Sequence, residues 1–285
     1  YNYNQIYQQY VNLLNCNISA ITEYSQIPFL PIDFFKSHNV IVEQKKPKIL
    51  FYSSGTTNNK KSKHQVVNLS IYRQSILLGF KLFVGDPKDF VFLCLVPDFK
   101  KTPNSSLAYM CHILIANSDN QLSGFYISKT KELKSIIKKC EDIEQKFILF
   151  GLSAEILEFS KHNETKFKNG IVIETGGNKI HGNRIIREDL HGRLSKKYGT
   201  HKIYSEYGMA ELLSQSYCLN NDGFISPPWK KILIRDKNNP LKIIHNHHRG
   251  CINIIDLANI YSCGFIATND AGVYQKIGFN IIGRI

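Results

Sequence analysis

Apolar and polar positions alternate in two regimes along the chain. Over the first two thirds, short apolar runs exchange with stretches of helical spacing. Residues 3–14 repeat apolar side chains at helical intervals, and 31–36 reads as a short helix with Pro31 near its start. Residues 48–52 form a short apolar strand that runs into a polar loop at 53–61. A helical pattern follows over 69–80, then a buried strand at 91–96. Helices are predicted over 105–116 and 130–140, and a strand over 147–150. Ser153 is placed to cap a helix reaching residue 159. A strand at 171–174 ends in Thr175-Gly176-Gly177, and 187–198 is a helix followed by a short strand at 202–205. Strands alternating with helices predict a layered α/β architecture with a largely parallel sheet. After Glu211 the pattern becomes short strand-like runs at 214–218, 231–235, 251–255, 264–268 and 279–282, separated by turns such as 220–223. The expected division is an α/β region over 1–211 and a β-rich subdomain over 212–285.

Composition narrows the class. With 43% hydrophobic and 21% charged residues, 285 residues can bury a sizeable core and are not disordered. No apolar run approaches the roughly 20 residues of a membrane span, and no basic-then-apolar leader is visible. The chain opens on Tyr1 and closes on Gly283-Arg284-Ile285 directly after a strand-like stretch, so it reads as a piece of a longer protein. Seven cysteines without CxxC spacing argue against a disulfide framework or zinc finger and for a reducing, cytoplasmic setting. The charge of +13, from 36 basic and 23 acidic residues, suits an acidic carrier protein or a polyphosphate nucleotide. An Asn-, Lys- and Ile-rich bias accounts for it equally well. No nucleic-acid-binding module is recognisable, so no nucleic-acid partner is expected. His245, His247 and His248 read as an exposed turn rather than a metal site.

Three segments carry candidate chemistry. In the first, a strand delivers the chain into Ser53-Ser54-Gly55-Thr56-Thr57-Asn58. Gly55 lets the backbone approach a ligand, and the hydroxyls and N–H groups can surround phosphate oxygens. Lys60, Lys61 or Lys63 can neutralise them. The Walker A spacing is absent. The second is Tyr204-Ser205-Glu206-Tyr207-Gly208-Met209-Ala210-Glu211, where a tyrosine can lie against a planar base and a carboxylate can hold Mg²⁺. Taken alone, its glutamates could equally be exposed loop residues. In the third, Asp270 on a turn after a strand can accept from both hydroxyls of a ribose, and Arg284 at the next strand end can reach the same sugar or a phosphate.

In order and spacing the three resemble the core motifs of the adenylate-forming superfamily, which comprises acyl-CoA synthetases, luciferase and nonribosomal adenylation domains. The resemblance is strongest to the acyl-protein synthetase (LuxE-type) branch, related to phenylacetate–CoA ligases. Residues 27–36, 53–57 with Ser62-Lys63-His64, 104–110, 175–177, 205–208 and 255–259 with Ser262-Cys263 carry it, nearly the whole chain. It implies the large N-terminal domain of that fold, ending at the hinge to a small C-terminal domain that this chain lacks. It further implies that Ser53, Ser54, Gly55, Thr56 and Thr57 grip the phosphates of ATP, with Thr56, Lys60 and Glu211 as the catalytic groups. Gly176 and Gly177 would line the adenine slot, Tyr207 with Gly208 would stack on adenine, and Glu211 would hold Mg²⁺. Asp270 and Arg284 would take the ribose of ATP or AMP.

Two positions depart from the family pattern. Asn58 replaces a glycine, and Ala210 replaces a threonine whose hydroxyl meets the α-phosphate. One lost hydrogen bond to a charged group costs about 1.5–3 kcal/mol. The implied reaction activates a carboxylic acid, expected to be a fatty acid, as acyl-AMP and then transfers the acyl group to a protein cysteine thiol. The implied partners are that acid and an acidic acyl-carrier protein or partner acyl enzymes. An aryl- or acyl-CoA ligase and a catalytically weak adenylate-fold binding subunit are the alternatives. Cys94, Cys111, Cys251 and Cys263 are expected in the core, and His64 and His112 as satisfied structural histidines.

Overall fold

The computed structural model describes residues 1–54, 60–176, 179–180, 183–220, 222–244 and 248–284, with backbone only at 179–180 and 183–184. Helix α1 (Gln5–Leu13) is followed by a two-residue strand β1 (Leu30–Pro31) and a one-turn helix α2 (Phe34–Ser37). Strands β2 (Ile49–Tyr52) and β3 (Lys63–Val66) pair as an antiparallel hairpin. There follow α3 (Leu69–Phe83), β4 (Val91–Leu95), α4 (Ser106–Asn117), β5 (Gly124–Phe125), α5 (Thr130–Asp142), β6 (Phe147–Leu152), α6 (Ser153–His162) and β7 (Gly170–Thr175). A small hairpin, β8 (Lys179–Ile180) with β9 (Asn183–Arg184), leads to α7 (Arg187–Tyr198), β10 (Ile203–Tyr207) and β11 (Ser216–Cys218). The last strands are β12 (Lys230–Arg235), β13 (Ile243–Ile244), β14 (Gly250–Asp256), β15 (Phe265–Tyr274) and β16 (Phe279–Arg284).

Two six-stranded sheets organise these elements. The first has the order β11-β10-β7-β6-β4-β5. Its strands are parallel except for β11, which runs antiparallel to β10. Every residue of β4 and β7 is buried, as expected for parallel strands covered on both faces. One face carries Phe92, Cys94, Ile148, Phe150, Ile171 and Ile173 against α3 and α4. The other carries Val91, Leu93, Phe147, Leu149 and Val172 against α5, α6 and α7. The second sheet has the order β1-β15-β14-β12-β13, with β16 on β15, and is antiparallel apart from β1. Its inner face, with Ile234, Ile252, Ile254 and Ile266, packs on α1, Phe35 and Tyr207.

Three local expectations change. Pro31 ends a strand rather than opening a helix. It pairs in parallel with Ala267, and the helix starts three residues later at Phe34. A proline at a sheet edge costs no ladder bond on its open side. Ser153 begins α6 but does not cap it: its hydroxyl donates to Glu174 Oε2 at 2.5 Å. Asp270 lies within the ten-residue strand β15, not on a turn after it, and the irregularity falls just beyond, between Ala271 and Gly272. Among the described residues no helix is long and apolar enough to cross a membrane.

Candidate functional site

The C-terminal end of β10 lies beside the β15–β16 ladder, where Tyr207, Asp270 and Arg284 come together. The β2–β3 hairpin presents the polar loop. At its base Ser53 N–H donates to Ser62 O (3.1 Å), and Ser62 N–H donates to Ser53 Oγ (3.0 Å). The Asn104 amide braces the hairpin by donating to Leu50 O at 2.8 Å. Ser54 and Lys60 are exposed on either side of the loop. Gly55, Thr56, Thr57 and Asn58 lie outside the described residues, as do Gly177, His245 and His247.

Ser62 connects this loop to Glu211. Glu211 is only 5% exposed. Burial raises its pKa, opposed by a hydrogen bond with Ser62 and by the charges of Arg284 and Lys36. The reading of this glutamate as an exposed loop residue therefore does not hold. Its backbone carbonyl accepts from Asn259 Nδ2 at 2.7 Å. The neighbouring carbonyl, of Ala210, accepts from His64 Nδ1 at 2.8 Å. A carbonyl only accepts, so Nδ1 carries the proton and Nε2 accepts from Ser262 Oγ at 2.9 Å. Burial holds the His64 pKa down at about 4. His64 is thus a neutral structural group that fixes the 208–211 turn. His112 stacks on Phe99.

Tyr207 ends β10, and its ring is buried, in tilted and edge contacts with Phe224 and Phe279. Its hydroxyl donates to Asp270 Oδ2 at 2.8 Å. Asp270 faces Arg284 in register across β15 and β16, and Arg284 Nε stands 3.3 Å from Oδ1. The Asp270 side chain is 11% exposed and that of Arg284 is 84% exposed. The guanidinium is open to solvent, so it can turn to another partner, while the carboxylate stays buried beside Tyr207. Two of the carboxylate's roughly four lone-pair sites are engaged, which leaves acceptor capacity for hydroxyls.

Gly176 follows β7 with φ of +101°, a backbone state that favours glycine. Behind it sits a polar network that the sequence reading missed. The Thr175 hydroxyl donates to Glu206 Oε2, and Glu174 accepts from the hydroxyls of Ser153 and Ser205. His191 Nε2 lies 3.0 Å from Ser205 Oγ and 3.4 Å from Glu174 Oε1. Burial pushes the Glu206 carboxyl up to about 7, partly countered by Thr175 and Lys230. Lys230 is itself buried, lowered to about 8, with its ammonium 5.2 Å from the Tyr207 ring centroid and donating to Ser214 O. Lys230 sits in a Pro-Pro-Trp-Lys-Lys run that gives no periodic sign of burial, and the one available signal was Glu206 preceding Tyr207-Gly208. Of the seven cysteines, six are buried, Cys94, Cys111, Cys251 and Cys263 among them, and Cys16 is partly exposed.

The donor set fits Mg²⁺ in one way. Among the described residues no three His, Cys, Asp or Glu side chains group to hold a metal. A single carboxylate, Glu211, completed by phosphate oxygens and water, matches the habit of Mg²⁺ with phosphate substrates.

No protein-family profile and no curated protein matches this sequence. Solved structures do. ATP-bound MatB from Rhodopseudomonas palustris superposes with a TM-score of 0.62 at 16% identity, over 82% of this chain and 47% of that one. A 2-hydroxyisobutyryl-CoA ligase in an open conformation, in complex with 2-HIB-AMP and CoA, gives a TM-score of 0.71 at 10% identity, over 99% of this chain and 66% of that one. The luciferase-like enzyme of the nonluminescent mealworm Zophobas morio gives 0.60 at 15% identity, over 86% and 59%. The chain spans about half to two-thirds of the length of these proteins. Its fold is the α/β fold of the large N-terminal domain of the adenylate-forming enzymes.

Proposed function

We infer that the chain is the nucleotide- and acid-binding part of an ATP-dependent adenylate-forming ligase. The single observation that carries this reading is the convergence of Tyr207, Asp270 and Arg284 beside the Ser53–Ser62 loop base, in a fold otherwise seen in acid-activating ligases. In this reading Asp270 accepts from the ribose hydroxyls and Arg284 reaches the sugar or a phosphate; Tyr207, expected to stack on adenine, instead has its ring packed on Phe224 and Phe279 and fixes the Asp270 carboxylate through its hydroxyl. Ser53, Ser54, Gly55, Thr56, Thr57 and Lys60 hold the β- and γ-phosphates. Gly176, Gly177 and Gly208 leave room for adenine. Glu211 holds Mg²⁺, which would neutralise charge on the phosphates. A carboxylate oxygen of the acid attacks the α-phosphorus, the bond to the bridging oxygen breaks, and pyrophosphate leaves with the electron pair. A thiol then displaces AMP from the acyl carbon. We further propose that the acid is a fatty acid and the thiol a protein cysteine, on the resemblance to acyl-protein synthetases, with 1–211 and 212–285 as the two working units. Cys140 and Cys263 are poor acceptors: burial raises the thiol pKa of Cys140 to about 11 and of Cys263 to about 12.

Titration calorimetry with AMP, and with ATP and Mg²⁺, tests the reading. Binding at micromolar to millimolar concentration is expected, and a chain inert to millimolar nucleotide overturns it. Carboxylate-dependent exchange of pyrophosphate into ATP tests the chemistry. Transfer of label to CoA rather than to protein would favour the CoA-ligase alternative.

A further inference from the structure

The runs 62–64 and 256–262, far apart in sequence, meet on one stretch of backbone, 210–214, which follows β10 and carries Glu211. That stretch begins in a turn, with Leu212 N–H donating to Met209 O at 3.1 Å. Side chains hold further backbone groups along it. Asp256, at the end of β14, accepts from Leu213 N–H and Ser214 N–H through Oδ2, both at 3.0 Å. Its Oδ1 accepts from the Ser214 hydroxyl at 2.6 Å. Asn259 Nδ2 donates to Glu211 O at 2.7 Å, and His64 Nδ1 donates to Ala210 O at 2.8 Å. His64 belongs to the same frame, since Ser262 Oγ donates to its Nε2 at 2.9 Å.

The frame is dry and cross-braced. His64, Asp256 and Asn259 are each at most 1% exposed. Asp256 also caps the single 3₁₀ turn Leu257–Asn259, accepting from Ala258 N–H at 3.1 Å. Asn4 Nδ2 donates to Ser262 O at 2.6 Å, which ties the frame to the start of α1. Buried polar networks of this kind specify one arrangement when their members are satisfied. The bonds from His64, Asp256 and Asn259 to 210–214 go to backbone atoms or to the Ser214 hydroxyl, and leave the Glu211 carboxyl to other partners. That carboxyl meets Ser62 at the base of the polar loop, within the fields of Arg284 and Lys36.

We propose that His64, Asp256 and Asn259 are positioning residues that hold the Glu211 carboxylate where a divalent cation can take it. The proposal rests on the reading of Glu211 as the Mg²⁺ carboxylate. Mg²⁺ demands near-ideal octahedral geometry, and a lone protein carboxylate meets that demand only if its backbone cannot drift. Groups that orient a metal ligand in this way contribute roughly 10–100-fold in metal affinity.

Mn²⁺, which shares the oxygen-ligand preference of Mg²⁺, is the probe. Its dissociation constant from the ATP complex of the intact chain is read from the EPR signal of the free ion. AMP affinity by calorimetry is the metal-free control. Glu211→Gln is expected to weaken Mn²⁺ about tenfold or more. His64→Gln withdraws the donor from Ala210 O and is expected to weaken Mn²⁺ about fivefold or more, with AMP affinity within about twofold of wild type. His64→Asn places an amide nitrogen where Nδ1 stands and is expected to restore Mn²⁺ affinity to within about twofold. Added to Glu211→Gln, His64→Gln should change Mn²⁺ affinity by less than about twofold, because it acts only through that carboxylate. Ser262→Ala leaves the imidazole in place but frees Nε2. It is expected to weaken Mn²⁺ about two- to threefold, and it carries the test if His64→Gln does not fold. Unchanged Mn²⁺ affinity in these variants, or the same loss in the Glu211→Gln background, would overturn the proposal and leave the nucleotide reading standing. Unchanged affinity in Glu211→Gln, or no AMP binding by wild type, would instead remove the reading on which the proposal rests, and the proposal with it.

Discussion

Asp270 has its two carboxylate oxygens divided between a buried phenol and an exposed guanidinium. Asp270→Asn keeps an acceptor for Tyr207 but removes the charge. In the ribose assignment it is expected to weaken AMP binding about 10–100-fold, the equivalent of about 1.5–3 kcal/mol, by calorimetry. Wild-type affinity in that variant would show that the ribose lies elsewhere. Glu206 makes a different prediction, about stability. Its carboxyl keeps its proton up to about pH 7 when folded, against an ordinary value of 4.5. Between those values the folded state binds more protons than the unfolded one, so stability falls as pH rises from 4.5 to 7, by on the order of 3 kcal/mol. His64 acts oppositely. The unfolded imidazole takes a proton near 6.5 and the folded one only near 4, so stability is lost as pH drops through that window. The two slopes offset one another in wild type. Glu206→Gln removes one of them, and its melting temperature should gain on wild type steadily from pH 4.5 to 7. A constant difference across that range would show that Glu206 does not titrate there.

At the scale of elements, the β15–β16 turn sets the position of Arg284. Gly278 has φ of +73°, and a Cβ there would stand 1.9 Å from Phe224 O. Phe224 and Phe279 exchange backbone hydrogen bonds of 2.7 and 3.1 Å, which tie β16 to the chain after β11. Gly278→Ala costs about 1–2 kcal/mol through the left-handed backbone alone, and the contact adds to it. A melting temperature lower by at least several degrees is expected, with weaker AMP binding as Arg284 loses its register; thermal denaturation and calorimetry read both. The same elements show what the sequence made legible. The parallel strands were visible because both faces are covered, so they read as unbroken apolar runs, as at Val91–Leu95. Helix α7 was legible over Arg187–Tyr198. The hairpin strand β3 was not, because its residues Lys63, His64 and Gln65 are polar, and the latter two are buried only through hydrogen bonds to distant partners. Ser153 was misassigned for a similar reason, since its hydroxyl serves a carboxylate 21 residues on. The order of the three motifs was legible in the sequence because each is a local run of residues. The network of Glu174, Glu206, His191 and Lys230 is a property of the folded interior alone.

For the whole molecule, a ligand that binds only the folded state stabilises it by about 2.7 kcal/mol at a hundred times its dissociation constant. Saturating AMP is therefore expected to raise the melting temperature by roughly 5 °C or more, measured by scanning calorimetry. No rise under saturation would contradict the proposed site. The Tyr207–Asp270 hydrogen bond has one more consequence, which follows from where its two ends sit. Tyr207 belongs to the parallel sheet and Asp270 to the antiparallel one. Sub-global openings in proteins tend to follow such contiguous units, so each sheet is a natural candidate to open by itself. A side-chain bond spanning both makes the opening of either one expose a buried polar partner in the other. The expected signature is in amide hydrogen exchange: the slowest protons of β10 and of β15 should exchange with the same opening energy. In Tyr207→Phe, where the hydroxyl is gone, those two energies should separate.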